Sequence, residues 1–246
     1  MLREVLDQWR RLRPIVIAAH PDDEVIGAGA TLARFTDAVV IHVTDGAPRN
    51  HPAWQNFAAE RRREAEAAMA LVGLVPSQIV ALNYPDGGTQ CALASLAVQL
   101  MQIIATRRCG VVITHAYEGA HPDHDATAFS VHAACRILAR SAPLLVEMTS
   151  YHMVAGRFVT GEFLPHADAG AIVEHWLDAH EQETKSRMLG LFRTQGNLLA
   201  TFPLTYERFR TAPRYDFDAP PHEGPLGYDH EHWRNLVLRA ALELNI

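Results

Sequence analysis

The chain has 246 residues, 48% of them apolar and 20% charged, with 22 Lys+Arg against 28 Asp+Glu and a formal net charge of −6. That length can bury a full core and argues for one large domain, 1–246, rather than two. The apolar content excludes a disordered chain, and the mild acidity excludes the basic footprint of a nucleic-acid binder. Cys91, Cys109 and Cys135 are odd in number and form no C-x-x-C pair, which predicts free thiols and a cytoplasmic location. No apolar run approaches the roughly 18 residues of a membrane span. The opening MLREVLDQWRRLRP lacks the apolar centre of a secretory signal.

Elements follow in chain order. Strands are predicted at Ile15 to Ala19, Ala38 to Thr44, Gln78 to Asn83, Gly110 to His115 and Leu144 to His152. The first, second and fourth are near-continuous apolar runs, as strands covered on both faces are. Helical spacing joins Val25, Ala28, Leu32 and Phe35, runs from Phe57 to Val72 with Gly73 beyond it, links Leu93 to Ile104, and stripes Asp123 to Ala139. Strand–helix alternation over 14–152 predicts an α/β, Rossmann-like, doubly wound sheet, mostly parallel, in the order 3-2-1-4-5. Residues 153–246 are read as a C-terminal appendage on the same domain, with one helix near Ile172 to Leu191.

Two segments carry chemistry. Ala19-His20-Pro21-Asp22-Asp23-Glu24 follows the first strand and opens a helix, whose N-terminus favours acidic groups. An acidic N-cap explains one aspartate, but not a histidine beside two carboxylates. Thr114 to Asp125, THAYEGAHPDHD, runs on from the end of the fourth strand and opens a helix. Pro122 suits the first helical position, making His121 the N-cap and setting His124 three residues further along.

In a 3-2-1-4-5 sheet the order reverses between strands one and four, where ligands gather outside the strand carboxyl ends. Both segments therefore meet in one crevice. Two imidazoles and a carboxylate with an open position form the ligand set of several catalytic zinc sites. His20, Asp23 and His124 are the favoured ligands, although spacing alone leaves Asp22 and Asp23 interchangeable. The remaining aspartate would take a proton from water, and His121 would stabilise an oxyanion or protonate a leaving amine.

A-H-P-D-D-E followed a hundred residues later by H-P-D-H resembles the PIG-L / LmbE-like zinc N-deacetylases. Thr44-Asp45-Gly46, Arg61 with Glu64 ahead of Leu71-Val72-Gly73, and Tyr84-Pro85-Asp86-Gly87 agree with it, over residues 14–152. The resemblance implies hydrolysis of an N-acetyl group from an N-acetylglucosamine-type sugar or conjugate, a small-molecule partner, and one zinc. It implies His20, Asp23 and His124 as ligands, Asp22 as general base, His121 as second catalytic group, and Arg61 and Asp86 as substrate contacts. Some members carry an oxyanion-binding tyrosine two residues before the first histidine of H-P-D-H. Here that position is Gly119, which leaves Tyr117 as its substitute. In the tail, Thr194-Gln195 and Glu207-Arg208-Phe209-Arg210 resemble the family loosely.

Other readings stand beside this one. The same ligand set suits Fe(II) or another divalent metal, and an oxygenase, another metal-dependent amidase or a non-catalytic binder keeps the site without the deacetylation. Gly27-Ala28-Gly29-Ala30 invites a nucleotide loop, but the turn itself holds His-Pro-Asp-Asp. Small residues there suit close helix–sheet packing instead. His152 is expected in the pocket wall and His42 in the core. His166, His175, His180, His222, His230 and His232 are expected at the surface or rim, Arg61-Arg62-Arg63 on a solvated face that Arg61 can leave, and Arg10, Arg11 and Arg13 at the surface. A homo-oligomer is compatible with all of this.

Overall fold

The short β-branched runs form the middle of a sheet in the computed structural model, which describes residues 2–246; Met1 lies outside the described residues. β1 (Ile15–Ala18) and β4 (Val111–His115) are buried along their whole lengths. β2 (Val39–Pro48), β3 (Ile79–Asp86) and β5 (Leu144–Met148) complete a parallel set in the order β3-β2-β1-β4-β5. Successive side chains point to opposite faces, so each strand feeds two cores. Val16, Ala18 and Val40 pack with Ala65 and Met69 of α3 (Trp54–Ala70) and with α2 (Asp23–Leu32) on one face. Ile15, Ile17, Ile41 and Val43 pack with α4 (Leu93–Arg107) and α5 (Pro122–Leu138) on the other. The N-terminal helix α1 (Leu2–Arg11), not foreseen, seats Trp9 edge-on to Phe209 and leaves Arg10, Arg11 and Arg13 exposed.

Leu144 to His152 is not one strand. β5 stops at Met148, and β6 (Tyr151–Val154) pairs with β7 (Arg157–Thr160) in a separate hairpin. Ala155 and Gly156 both have positive φ, 49° and 75°, the backbone of a tight two-residue hairpin turn. The helix expected over 172–191 also divides. Asp178 accepts from the Glu181 N–H while Glu181 reaches back to the Asp178 N–H, and this capping box starts α6 (Ala179–Leu189) only there. The residues before it form β8 (Val173–Trp176), antiparallel to β9 (Tyr206–Thr211), which is antiparallel to β5. The tail thereby lengthens the sheet to seven strands. His175, expected at the rim, is buried by that pairing, 3.1 Å from Glu181.

α7 (His230–Leu244) closes the chain and packs Trp233 and Val237 against Tyr117, Phe129 and α4. One helical run, Thr89–Arg107, is long and apolar enough to cross a membrane by length and composition alone. The fold uses it as a core helix, with Leu93, Leu96, Ala97, Leu100 and Ile104 buried.

Candidate metal centre and catalytic site

The switch point between β1 and β4 gathers both motif segments. His20 and Asp23 come from the β1–α2 turn, His121 and His124 from the start of α5. His20 Nδ1, Asp23 Oδ2 and His124 Nε2 form a closed triangle with edges of 3.1, 3.3 and 3.3 Å. All three residues are buried, and Asp23 Oδ2 also accepts the His20 backbone N–H at 2.8 Å. The predicted ligands are therefore brought together and can hold one small cation.

The other ring nitrogen of His20 is spoken for. Nε2 lies 3.2 Å from Asp123 Oδ2 and 3.3 Å from Asp86 Oδ1. A carboxylate accepting that N–H fixes the tautomer that leaves Nδ1 free as a donor atom to a metal. Asp123 is itself fixed, accepting the Gly87 N–H at 2.6 Å and the Thr89 N–H at 3.1 Å. Burial would depress the His20 pKa, but Asp123, Asp23 and Asp86 together raise it well above normal. Asp23 moves the other way: despite burial, His124, His115 and His20 hold its carboxyl well below the usual range. His115 stacks on His124 at 4.1 Å and accepts the Ala19 N–H at 2.9 Å. Burial and the neighbouring histidines keep it neutral.

Asp22 sits at φ 135°, a strained conformation for a residue with a Cβ. Its N–H donates to Glu24 Oε2 at 3.0 Å, and that oxygen is 3.0 Å from His42, the expected core histidine. Arg61 reaches across from α3 with its charge directed inward. Nη2 donates to Asp22 Oδ2 at 3.1 Å and to Pro21 O at 2.9 Å, while Nη1 donates to Gly46 O at 2.8 Å. Gly46, at φ +66°, makes this possible, because a Cβ there would lie 2.3 Å from Nη1. Burial pushes the Asp22 carboxyl up to about 8, with Arg61 pulling against it. Arg61, expected as a substrate contact, is buried and spends both Nη groups on Asp22 and on the Pro21 and Gly46 carbonyls. Arg62 and Arg63 remain on the solvated face, paired with Glu66 and Glu60.

His121 is the N-cap of α5, as Pro122 predicted. Its Nδ1 accepts the Asp123 N–H at 3.1 Å, and its ring stands 4.7 Å from that of His20. Burial and the charges of His20 and His124 hold its pKa down near 4. Asp86 joins the site from the end of β3, half-buried, through its contact with His20.

Two expected contacts go elsewhere. The Tyr117 hydroxyl donates to Ala219 O at 3.0 Å, and its ring packs on Phe217 and Trp233, turned away from the triangle. It cannot replace the absent tyrosine, nor does Gly119 leave room for one. At φ +75°, a Cβ on Gly119 would meet Leu226 at 2.6 Å. His152 turns to Glu118, 3.4 Å away, because alternation along β6 sends Tyr151 to the opposite side. Tyr151 packs edge-on to His124 at 5.2 Å and lines the small cavity beside His121.

Sequence reasoning missed Asp123, His115, Asp125 and Tyr151. Asp125 accepts the Glu118 and Gly119 N–H groups and the Tyr228 hydroxyl, tying the tail to the site loop. Asp123 had a signal, as the third letter of H-P-D-H between two working histidines; Tyr151 had none.

The family described as PIG-L: GlcNAc-PI de-N-acetylase matches residues 15–135. Over 158 residues, 49% of this chain, the sequence is 31% identical to the 1D-myo-inositol 2-acetamido-2-deoxy-alpha-D-glucopyranoside deacetylase of Kineococcus radiotolerans. That match spans 43% of the relative, less than half its length. A deacetylase of teicoplanin biosynthesis superposes with a TM-score of 0.64 at 19% identity, covering 83% of this chain and 99% of its own. A zinc inhibited form of teicoplanin deacetylase gives 0.63 at 18%, over 83% and 99%. The N,N'-diacetylchitobiose deacetylase of Pyrococcus horikoshii gives 0.58 at 20%, over 91% and 93%. At such identities these structures attest the fold.

Proposed function

We propose, on the match of residues 15–135 to the PIG-L family, that the chain is a zinc-dependent hydrolase removing the N-acetyl group from an N-acetylglucosamine-type sugar or conjugate. One observation carries the reading: the closed triangle of His20 Nδ1, Asp23 Oδ2 and His124 Nε2, with edges of 3.1 to 3.3 Å. Two ligands each about 2.0–2.1 Å from a tetrahedral zinc lie about 3.3 Å apart, so the donors fit that ion. Such an ion supplies Lewis acidity, lowering the pKa of water toward 7 and polarising a carbonyl.

The chain supplies the proton handling. Asp22, one residue from the ligand Asp23, accepts a proton from the attacking water as its oxygen bonds to the acyl carbon. Arg61 holds Oδ2 of Asp22, which fixes the direction of its other oxygen. His121 accepts the Asp123 N–H on Nδ1, so its neutral ring carries the proton on Nε2. That N–H donates a hydrogen bond to the developing oxyanion, and the proton taken up by Asp22 passes to the leaving nitrogen as the C–N bond breaks. The products are acetate and a free amine. Asp123 holds His20 in its ligating tautomer, and Asp86, half-buried at the end of β3, is the group that meets the sugar.

The test is acetate release from a panel of N-acetylglucosamine conjugates, by protein stripped with chelator and by the same protein after zinc is restored. Release that returns with zinc supports the reading. A panel that stays uncleaved by the zinc-loaded protein contradicts it.

A further inference from the structure

The helix that begins with Asp23 is broken, and the break is filled by two buried charges from the far end of the chain. Ala28 leaves helical geometry, at φ −145° and ψ 16°, between two helical halves of α2. In an unbroken helix the Ala30 N–H would bond Ile26 O, and the Thr31 N–H would bond Gly27 O. Here Ala30 N–H donates to Glu207 Oε1 at 2.8 Å and Thr31 N–H to Glu207 Oε2 at 2.9 Å. Ile26 O accepts from Lys185 Nζ at 2.8 Å, and Lys185 Nζ is 3.0 Å from Glu207 Oε1. The ion pair thus stands at both ends of the Ala30–Ile26 rung, a side-chain insertion of the kind that kinks helices. Both side chains are 0% exposed. Two charges so deeply buried are tolerated because each is bonded to its partner and to backbone.

The small residues at 27–30 make room for this arrangement. A Cβ on Gly27 would lie 2.6 Å from Met148 of β5, and one on Gly29 would touch Val25 at 3.0 Å and Lys185 at 3.7 Å. The first half of α2 is thereby pressed onto the sheet and clipped to α6 and β9. That half is a single turn. Its leading residues are Asp22 and Asp23, and the Val25 and Ile26 N–H groups both bond Asp22 O.

We infer that Lys185 and Glu207 are positioning residues for Asp22 and Asp23, clamping the first turn of α2 so that base and ligand face the His20–His124 pair. The inference rests on the metal reading of that site. A packing-only role predicts that a neutral, similarly shaped pair serves equally well; a positioning role predicts that the turn loosens and the metal is held less tightly.

The experiment compares the double variant Lys185→Met with Glu207→Gln against a control on the same strand. The control is Glu147→Gln with Arg210→Met, an equally buried pair 2.7 Å apart whose other bonds go to Leu164 O and Tyr215 rather than to α2. Zinc titration of the metal-free proteins by calorimetry is expected to show affinity about 10–100-fold weaker in the first variant, the range for lost support of metal ligands. The control should match wild type. Amide exchange of Val25 and Ile26 in the metal-free first variant should be faster than in wild type. Unchanged affinity and exchange in a folded variant, or equal losses in the control, would overturn the inference. If the wild type itself takes no zinc, the metal reading fails and the exchange of Val25 and Ile26 still decides the positioning role. Should the double variant not fold, Glu207→Gln alone carries the same comparison.

Discussion

Replacing Arg61 with methionine strands a buried carboxylate. The guanidinium is 4% exposed and makes three bonds, to Asp22 Oδ2, Pro21 O and Gly46 O. Removing one partner of a buried ion pair costs about 3–5 kcal/mol, either as an unpaired buried charge or as the proton taken up to neutralise it, and the cost applies at pH 9, where Asp22, with its pKa of about 8, is ionised in the wild-type pair. A protein of this size loses about 2–4 °C in Tm per kcal/mol, so Arg61→Met should melt roughly 6–20 °C below wild type. Adding Asp22→Asn removes the stranded charge and should return about 2–4 kcal/mol of that loss. The residual cost, about 1–2 kcal/mol, belongs to the carbonyls of Pro21 and Gly46, which keep no charged donor. Chemical denaturation at pH 9 of wild type, both single variants and the double variant completes the cycle. A coupling energy below about 0.5 kcal/mol would refute the claim that Arg61 serves Asp22, since independent sites add within that margin. The pair also sets the state of the base: losing Arg61 removes the attraction opposing burial, so the Asp22 pKa should climb above its value of about 8.

Asp22→Asn alone should retain the metal yet lose acetate release by about 10²–10⁴-fold, the usual contribution of a general base; turnover equal to wild type would exclude that role. His132, packed on Tyr215 and Phe217, is held near pKa 4 by burial. Below about pH 6.5 the unfolded chain takes up a proton that the folded ring refuses, so this group's share of stability is present above pH 6.5 and lost as pH falls toward 4. Folding free energies at pH 7 and pH 5 should therefore differ less in His132→Phe than in wild type, by about 1–2 kcal/mol. An unaltered difference would show that the ring titrates normally.

What could be read in the sequence divides by distance along the chain. Ile15 to Ala18 and Val111 to Ile113 are apolar on both faces, so the parallel centre followed from composition and its reversal point from the usual strand order of such sheets. The His20 and His124 segments were placed together by that reversal, though 104 residues separate them. Residue spacing could not show how Arg61 spends its donors, because that depends on Gly46 yielding space from another loop. Nor could it show that Tyr117 turns into the Phe217 and Trp233 cluster, about a hundred residues downstream. In the tail, β8 is a short edge strand and β9 joins it to β5, each with partners remote in sequence, and α6 starts where its capping box dictates rather than where apolar spacing begins. The Lys185–Glu207 clamp is invisible to any local pattern, since its contacts with α2 lie 159 and 177 residues away in sequence.

The central claim is that His20, Asp23 and His124 converge on a single divalent ion. X-ray absorption of the zinc-loaded protein, with the metal counted in wild type and in His124→Ala, tests it most directly. The account predicts one equivalent in wild type, with imidazole nitrogen and carboxylate oxygen at about 2.0–2.2 Å, and strong depletion in the variant. A full equivalent of zinc in His124→Ala, or a wild-type spectrum without imidazole scattering, would contradict it.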